Sequence, residues 1–331
     1  MTKGIRKSTN FFPACLAIAA MLLLFSAALS GQETTAGGFS ALMNRPLNVP
    51  IDYVITPFGY FHPSCVLLLA EGNTLLADGR VQHGDGTVEA AHVCAYPHYT
   101  PSGAIVTADA KASNINPLVI NGWLESVSVF TSTSYDKIAA TWVVPPAPTS
   151  NDGQLLYFFP GFEDSIHPLS IVQPVLQWGY SGFFGGNYWV VANWNCCMSG
   201  TTWYSTPLDV SVGDTILGTI IPTCKRGKSY CPTWNIVSED KTTGKKTTLA
   251  KTPAEGQIWN WAFGAVSEDY GVVQCSDFPD NSGLTFTVHL YNRNWKVITN
   301  PSWHATQWIK NPDPKCKYGT KMTKTKETVE Y

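Results

Sequence analysis

Val175-Leu176-Gln177-Trp178-Gly179 and, far along the chain, Ala265-Val266-Ser267-Glu268-Asp269-Tyr270 are short apolar runs broken by one or two polar side chains. Length and bulky neighbours mark each as a buried β-strand. Burying an amide or a carboxylate costs several kcal/mol unless it is partnered, so Gln177 and Glu268 need a reason to be there. Facing one cleft, they supply complementary parts. The carboxyl takes a proton from water and passes it on, and the amide N–H holds a developing oxyanion. Register decides the assignment, because a shift by one residue turns Asp269 into the cleft instead.

From Asn121 onward the same strand character recurs. Val127-Ser128-Val129-Phe130, Ala140 to Val144, Thr215 to Ile221, Trp234 to Val237 and Thr285 to Leu290 are rich in Val, Ile, Thr and aromatics and are punctuated by Gly, Pro and Asn. Outside the N-terminal apolar segment no long stretch keeps a 3.6-residue period. Many short strands between turn signals imply an all-β sandwich or barrel, and the lack of an internal repeat argues against a propeller.

A set of blocks extends the pattern. In order they are Asn121-Gly122-Trp123, Ile138-Ala139-Ala140-Thr141-Trp142-Val143-Val144-Pro145, Pro160-Gly161-Phe162-Glu163, Leu176-Gln177-Trp178-Gly179 and Tyr188-Trp189. Ser211-Val212-Gly213-Asp214-Thr215-Ile216, Asp240-Lys241-Thr242-Thr243-Gly244-Lys245 and the Glu268 strand follow. Taken together from Asn121 to Trp295, this order resembles the glutamic peptidases, or eqolisins, secreted enzymes on a concanavalin-like β-sandwich. The resemblance implies an antiparallel sandwich (jelly roll) and endopeptidase activity at acidic pH with an activated water. It implies Gln177 and Glu268 as the catalytic pair, and no cofactor or metal. Three departures fall around the inferred cleft. Trp178 stands where the family carries a small or hydroxylated residue. The strand Tyr188-Trp189-Val190-Val191-Ala192-Asn193-Trp194-Asn195 lacks the family's carboxylates, and Gly161-Phe162-Glu163-Asp164 replaces a Gly-Ile-Asp-Gly turn. Trp178, Tyr188, Trp189, Trp194 and Glu163 are accordingly the candidates for lining a substrate groove.

The same aromatics support a second reading, a non-catalytic, lectin-like sandwich that stacks its Trp and Tyr rings on a polysaccharide. A glucanase of this fold type would carry Glu-x-Asp-x-Glu on one strand, and no such triplet occurs. Gly179-Tyr180-Ser181-Gly182 lacks the Gly-x-Ser-x-Gly elbow of a serine hydrolase. His62, His83, His92 and His98 lie near Cys65 and Cys94, but without the spacings of a zinc site.

The 331 residues hold 44% hydrophobic and 14% charged residues with a net charge of −2, against a usual charged share of about 25%. Nothing in that balance points to a nucleic-acid partner. Residues 1–30 read as a signal peptide, with Lys3, Arg6 and Lys7 before the apolar run Phe11 to Leu29 and small residues at Ala28 and Ser30. An exported protein with no stable membrane insertion after signal cleavage is expected. Every Trp lies between Trp123 and Trp308, which sets a boundary in the polar stretch Ala110 to Pro117. Residues 31–115 then form a small β appendage, retained or removed as a propeptide; residues 116–300 form the sandwich. Residues 301–331 form a C-terminal extension, frayed after Lys315. Beyond Cys15, eight cysteines in an exported chain read as disulfides. Cys65–Cys94 and Cys224–Cys231 are the expected pairings, and adjacent Cys196 and Cys197 should have different partners.

Overall fold

The computed structural model describes residues 45–106, 120–165, 170–196, 200–228, 230–254 and 258–331. The signal segment, Cys197 and the 110–117 boundary lie outside the described residues.

Alternating burial in Thr215–Pro222, Thr233–Asp240 and Leu284–Tyr291 marks strands with one face on a core and one toward water. They belong to a seven-stranded antiparallel sheet. Its strand order is Lys246–Pro253, Thr233–Asp240, Thr215–Pro222, Lys137–Val143, Leu284–Tyr291, Lys326–Glu330, Gly319–Met322. Leu155–Glu163 is different. It reads Leu-Leu-Tyr-Phe-Phe-Pro-Gly-Phe-Glu and is buried along its whole length. A strand without alternation must be covered on both faces. It lies inside a nine-stranded sheet, where the order runs His304–Gln307, Asn121–Phe130, Trp261–Tyr270, Leu155–Glu163, Ile171–Tyr180, Gly185–Cys196, Thr202–Ser205, Val66–Leu69. Leu208–Asp209 pairs beside Gly185–Cys196. The two sheets stack face to face, giving the expected all-β antiparallel sandwich, with no α-helix among the described residues.

Leu156, Phe158, Phe162, Val172 and Leu176 turn into the space between the sheets, against Trp142, Ile216, Ile236 and Phe286. Leu155, Tyr157, Phe159, Val175 and Phe263 turn to the opposite face. There they meet Tyr53, Ile55, Tyr60, Phe61 and Tyr99 from the N-terminal segment. Residues 45–106 thus form a third layer over the larger sheet. They also give that sheet its strand Val66–Leu69, parallel to Thr202–Ser205.

Disulfides join Cys65 to Cys94 and Cys224 to Cys231, as expected, and also Cys275 to Cys316; Cys196 is disulfide-bonded as well. The tail differs from the frayed end expected of its Lys- and Thr-rich sequence. Gly319–Met322 and Lys326–Glu330 pair with each other, and Lys326–Glu330 pairs with Leu284–Tyr291. Glu327 and Val329 are fully buried. The apolar alternation that normally betrays such a strand is hidden here because a carboxylate occupies one of its inward positions.

Candidate functional site

Gln177 pairs with Tyr157 from one side, and Glu268 pairs with the same Tyr157 from the other. Residues in register across neighbouring strands point to the same face. The three therefore form one row, with Gln177 and Glu268 two strand spacings, about 10 Å, apart. Asp269 turns the other way, into the sandwich, where its charge acts on Glu125, Tyr318 and Tyr331.

The row is closed off from solvent. Gln177 is 1% exposed, and Tyr157, Glu268 and Tyr270 are wholly buried. The Tyr270 hydroxyl donates to Glu268 Oε1 at 2.6 Å. Burial drives the Glu268 carboxyl up to about 8, an effect only partly opposed by hydrogen bonds from Tyr270 and Trp123. Glu268 is therefore a neutral acid over the whole acidic range. Burial, and next the Glu268 charge, push the Tyr157 hydroxyl well above its ordinary value.

The Gln177 amide is pinned. Its Nε2 donates to the carbonyls of Gly179 at 2.9 Å and Phe184 at 3.2 Å. Space for that arrangement comes from Gly185, whose positive φ suits glycine and where a Cβ would collide with the amide nitrogen and the Gly179 carbonyl. Gln177 Oε1 and Glu268 Oε2 are buried with no hydrogen-bond partner. Each such atom costs about 1–3 kcal/mol.

The groove candidates separate. Trp178 and Trp189 lie 5.2 Å apart between the sheets, on the face opposite Gln177. They are core residues, a correction to their expected place in the groove: a side chain next to Gln177 in sequence is on the other face of the strand. Trp194 is on the Gln177 face, in register with Gln173, but is covered by Phe183, Phe184 and Tyr204. Tyr188 sits beside the irregular pairing of its strand, 46% exposed. Glu163 shares the face of Tyr157 but six residues along the strand, about 20 Å away. Its carboxyl is buried and pushed up to about 8, by burial first and then by the Asp164 charge. The two thiols nearest the histidine group are joined as Cys65–Cys94, which leaves them unable to ligate a metal. His98 stacks on Phe61, and burial lowers it to about 4.

Sequence reasoning missed Tyr157, Tyr270 and Gln173. Gln173 was readable, since it stands four residues before Gln177 and interrupts the same apolar strand on the same face. The tyrosines carried no such signal, because a hydroxyl at the tip of an aromatic ring hides inside an aromatic run.

No family model matches this chain, and no curated protein matches it. Among solved structures it is similar to scytalido-glutamic peptidase with a peptide-based transition-state analogue, at 16% identity over 63% of this chain and 98% of that one, with a TM-score of 0.44. It is similar to SCP-B, a member of the eqolisin family in complex with the tripeptide Ala-Ile-His, at 16% identity, the same coverage and a TM-score of 0.42. For aspergilloglutamic peptidase from Aspergillus niger the values are 16% identity, 54% and 98% coverage, and a TM-score of 0.33.

Proposed function

We propose that this chain is an exported glutamic-type endopeptidase, held latent by its own N-terminal layer. The observation that carries the reading is the common register of Gln177 and Glu268 to Tyr157. It puts one carboxyl and one amide on the same face, two strands apart. The block order around them in the sequence supports the same conclusion. Disulfides fit an oxidising compartment, and no helix among the described residues is long and apolar enough to cross a membrane.

In the cycle, ionised Glu268 takes a proton from water as the oxygen attacks the scissile carbonyl. The carbonyl oxygen gains charge and accepts a hydrogen bond from a neutral donor in the row. Glu268 then returns the proton to the leaving nitrogen. The closed chain blocks this twice over: Glu268 is held neutral below about 8, and both Gln177 donor hydrogens are committed to carbonyls. Withdrawing the covering layer readmits water and returns the carboxyl toward its ordinary range. It also takes the Ile55 N–H off the Ser181 carbonyl, loosening the 181–184 turn whose Phe184 carbonyl holds one Gln177 N–H. The test is digestion of a denatured protein by a chain whose covering segment has been loosened.

A glycan-binding reading keeps one observation in its favour. Trp123, Phe263, Trp261, Phe130 and Trp308 make a chain of ring contacts along the edge of the same sheet face. Phe130 is 52% and Trp308 38% exposed.

A further inference from the structure

The covering segment meets the sheet with the main chain of three successive residues. Tyr157 Oη donates to the Ile55 carbonyl at 3.1 Å, and Gln173 Nε2 donates to the Pro57 carbonyl at 3.0 Å. The Thr56 carbonyl lies 3.5 Å from Tyr270 Oη. On the upper edge, the Ile55 N–H donates to the Ser181 carbonyl at 3.1 Å. Ile55 and Thr56 belong to the extended strand Val54–Thr56. Contacts of this kind read a backbone rather than a sequence, so any extended chain can make them.

Their position is specific. Tyr157 stands between Gln177 and Glu268, so the carbonyl it holds, that of the Ile55–Thr56 peptide bond, lies over the row itself. With both Gln177 N–H groups turned to Gly179 and Phe184, the Tyr157 hydroxyl is the donor offered to a carbonyl there.

We propose that Tyr157 and Gln173 are a floor that binds the main chain of an extended polypeptide, and that Ile55-Thr56-Pro57 fills it in the closed chain as a pseudo-substrate. Tyr157 presents its hydroxyl to the Ile55 carbonyl, and Gln173 holds the carbonyl two residues on. That the outside occupant is a polypeptide rests on the peptidase reading; occupancy of the floor does not need turnover.

The experiment measures binding without chemistry. In the full chain carrying Glu268→Gln, residues Ile55, Thr56 and Pro57 are all replaced by Gly, leaving Cys65–Cys94 in place. This removes the buried Ile55 and Thr56 side chains that seat the segment and adds backbone freedom that favours its release. The probe is a fluorescent, end-capped octapeptide with the sequence of residues 52–59. It should bind the opened chain and not the Glu268→Gln chain with its segment intact. Adding Tyr157→Phe or Gln173→Leu to the opened chain should weaken binding several-fold, the size of one hydrogen bond. Absence of binding to a folded opened chain, or equal binding by the Tyr157→Phe and Gln173→Leu forms, overturns the proposal. If the opened chain loses its unfolding transition, amide exchange in the intact chain decides. Tyr157→Phe with Gln173→Leu should then speed exchange across residues 53–61 about tenfold and leave Thr215–Pro222 unchanged, and no change at 53–61 overturns it. Neither arm uses turnover, so a chain that binds the peptide yet cleaves nothing refutes the peptidase reading alone.

Discussion

Tyr270 donates its hydroxyl to Glu268 Oε1 at 2.6 Å, from two residues further along the same strand. Residues two apart on a strand share a face, so this contact is local and survives any movement of the covering layer. A hydrogen bond to the charged form of a carboxyl stabilises that form. Tyr270→Phe keeps the edge-on packing against Tyr60 and Tyr157 and removes only the donor. Glu268 should then titrate above the value of about 8 it has in the closed chain. Side-chain carboxyl NMR across pH 5–10 checks this, and a lower value in the variant would refute the role given to Tyr270.

The pH dependence of stability follows from buried carboxyls on both faces of the larger sheet. Glu125, Glu163, Glu268, Asp269 and Glu327 are each pushed up to about 8, with burial the first cause in every case. An unfolded carboxyl titrates near 4, so above that pH the unfolded chain releases protons that the folded chain keeps. Stability is therefore fully present below about 4 and is lost as the pH rises toward 8, by at most about 1.4 kcal/mol per pH unit for each group. Urea midpoints at pH 4, 6 and 8 should fall in that order. Glu327→Gln, at a position where both carboxylate oxygens lack partners, should flatten the slope. Midpoints that rise with pH would contradict the burial of these groups.

The crosslinks rank by the loop each closes. Cys275–Cys316 spans 41 residues and Cys224–Cys231 spans 7. Loop-closure entropy gives about 4 and about 2.5 kcal/mol respectively. Replacing Cys275 and Cys316 with Ser should lower the urea midpoint more than replacing Cys224 and Cys231. The longer link matters further because Cys316 leads into Gly319–Met322, an edge strand of the smaller sheet. Equal midpoints for the two double variants would show that unfolded-chain entropy is not what these bonds act on.

The sequence carried the architecture well where burial was one-sided. Thr215–Pro222 and Thr233–Asp240 alternate cleanly, and period two is a direct imprint of one solvated face. Gln177 and Glu268 stood out because a polar group in an apolar strand is costly. Their common face was not legible, since it depends on which residue of Leu155–Glu163 each one pairs with, and that is set by non-local pairing. The same gap misplaced Trp178 and Trp189. An aromatic next to a candidate residue in sequence looks like a groove lining, while strand geometry sends it to the opposite side. Trp178→Ala should accordingly cost about 3–5 kcal/mol of stability as a core truncation. Trp261→Ala, in the half-buried ring chain, should cost less, and it is the variant that tests glycan retention. If wild type is retained on an insoluble polysaccharide and Trp261→Ala is lost several-fold while staying folded, the binding reading gains. If wild type is retained on none of a broad panel, that reading falls.

Cleavage is the central prediction, and the covering layer sets how it must be measured. In the intact chain Glu268 is neutral and shielded at acidic pH, so digestion of a denatured protein should be slow or absent. Replacing Ile55, Thr56 and Pro57 with Gly strips the buried Ile55 and Thr56 side chains that seat the segment and loosens the main chain that Tyr157 and Gln173 hold, which should raise the rate. Once hydrated, Glu268 returns toward the ordinary carboxyl range. The rate should then fall on the acid side as the base is protonated, and on the alkaline side as the proton for the leaving amine is lost. Gln177→Ala in the opened chain should lower kcat by about 10²–10³, the effect of losing one oxyanion donor. Glu268→Gln should do at least as much, since it keeps shape and removes the proton carrier. Chelators and serine- or cysteine-directed inhibitors should leave the rate unchanged, because the proposed cycle passes through neither a metal nor such a nucleophile. If both variants of the opened chain cleave as fast as their parent, the chemistry belongs to other residues. If the opened chain folds and cleaves nothing from pH 3 to 7, the row has kept its geometry without the reaction.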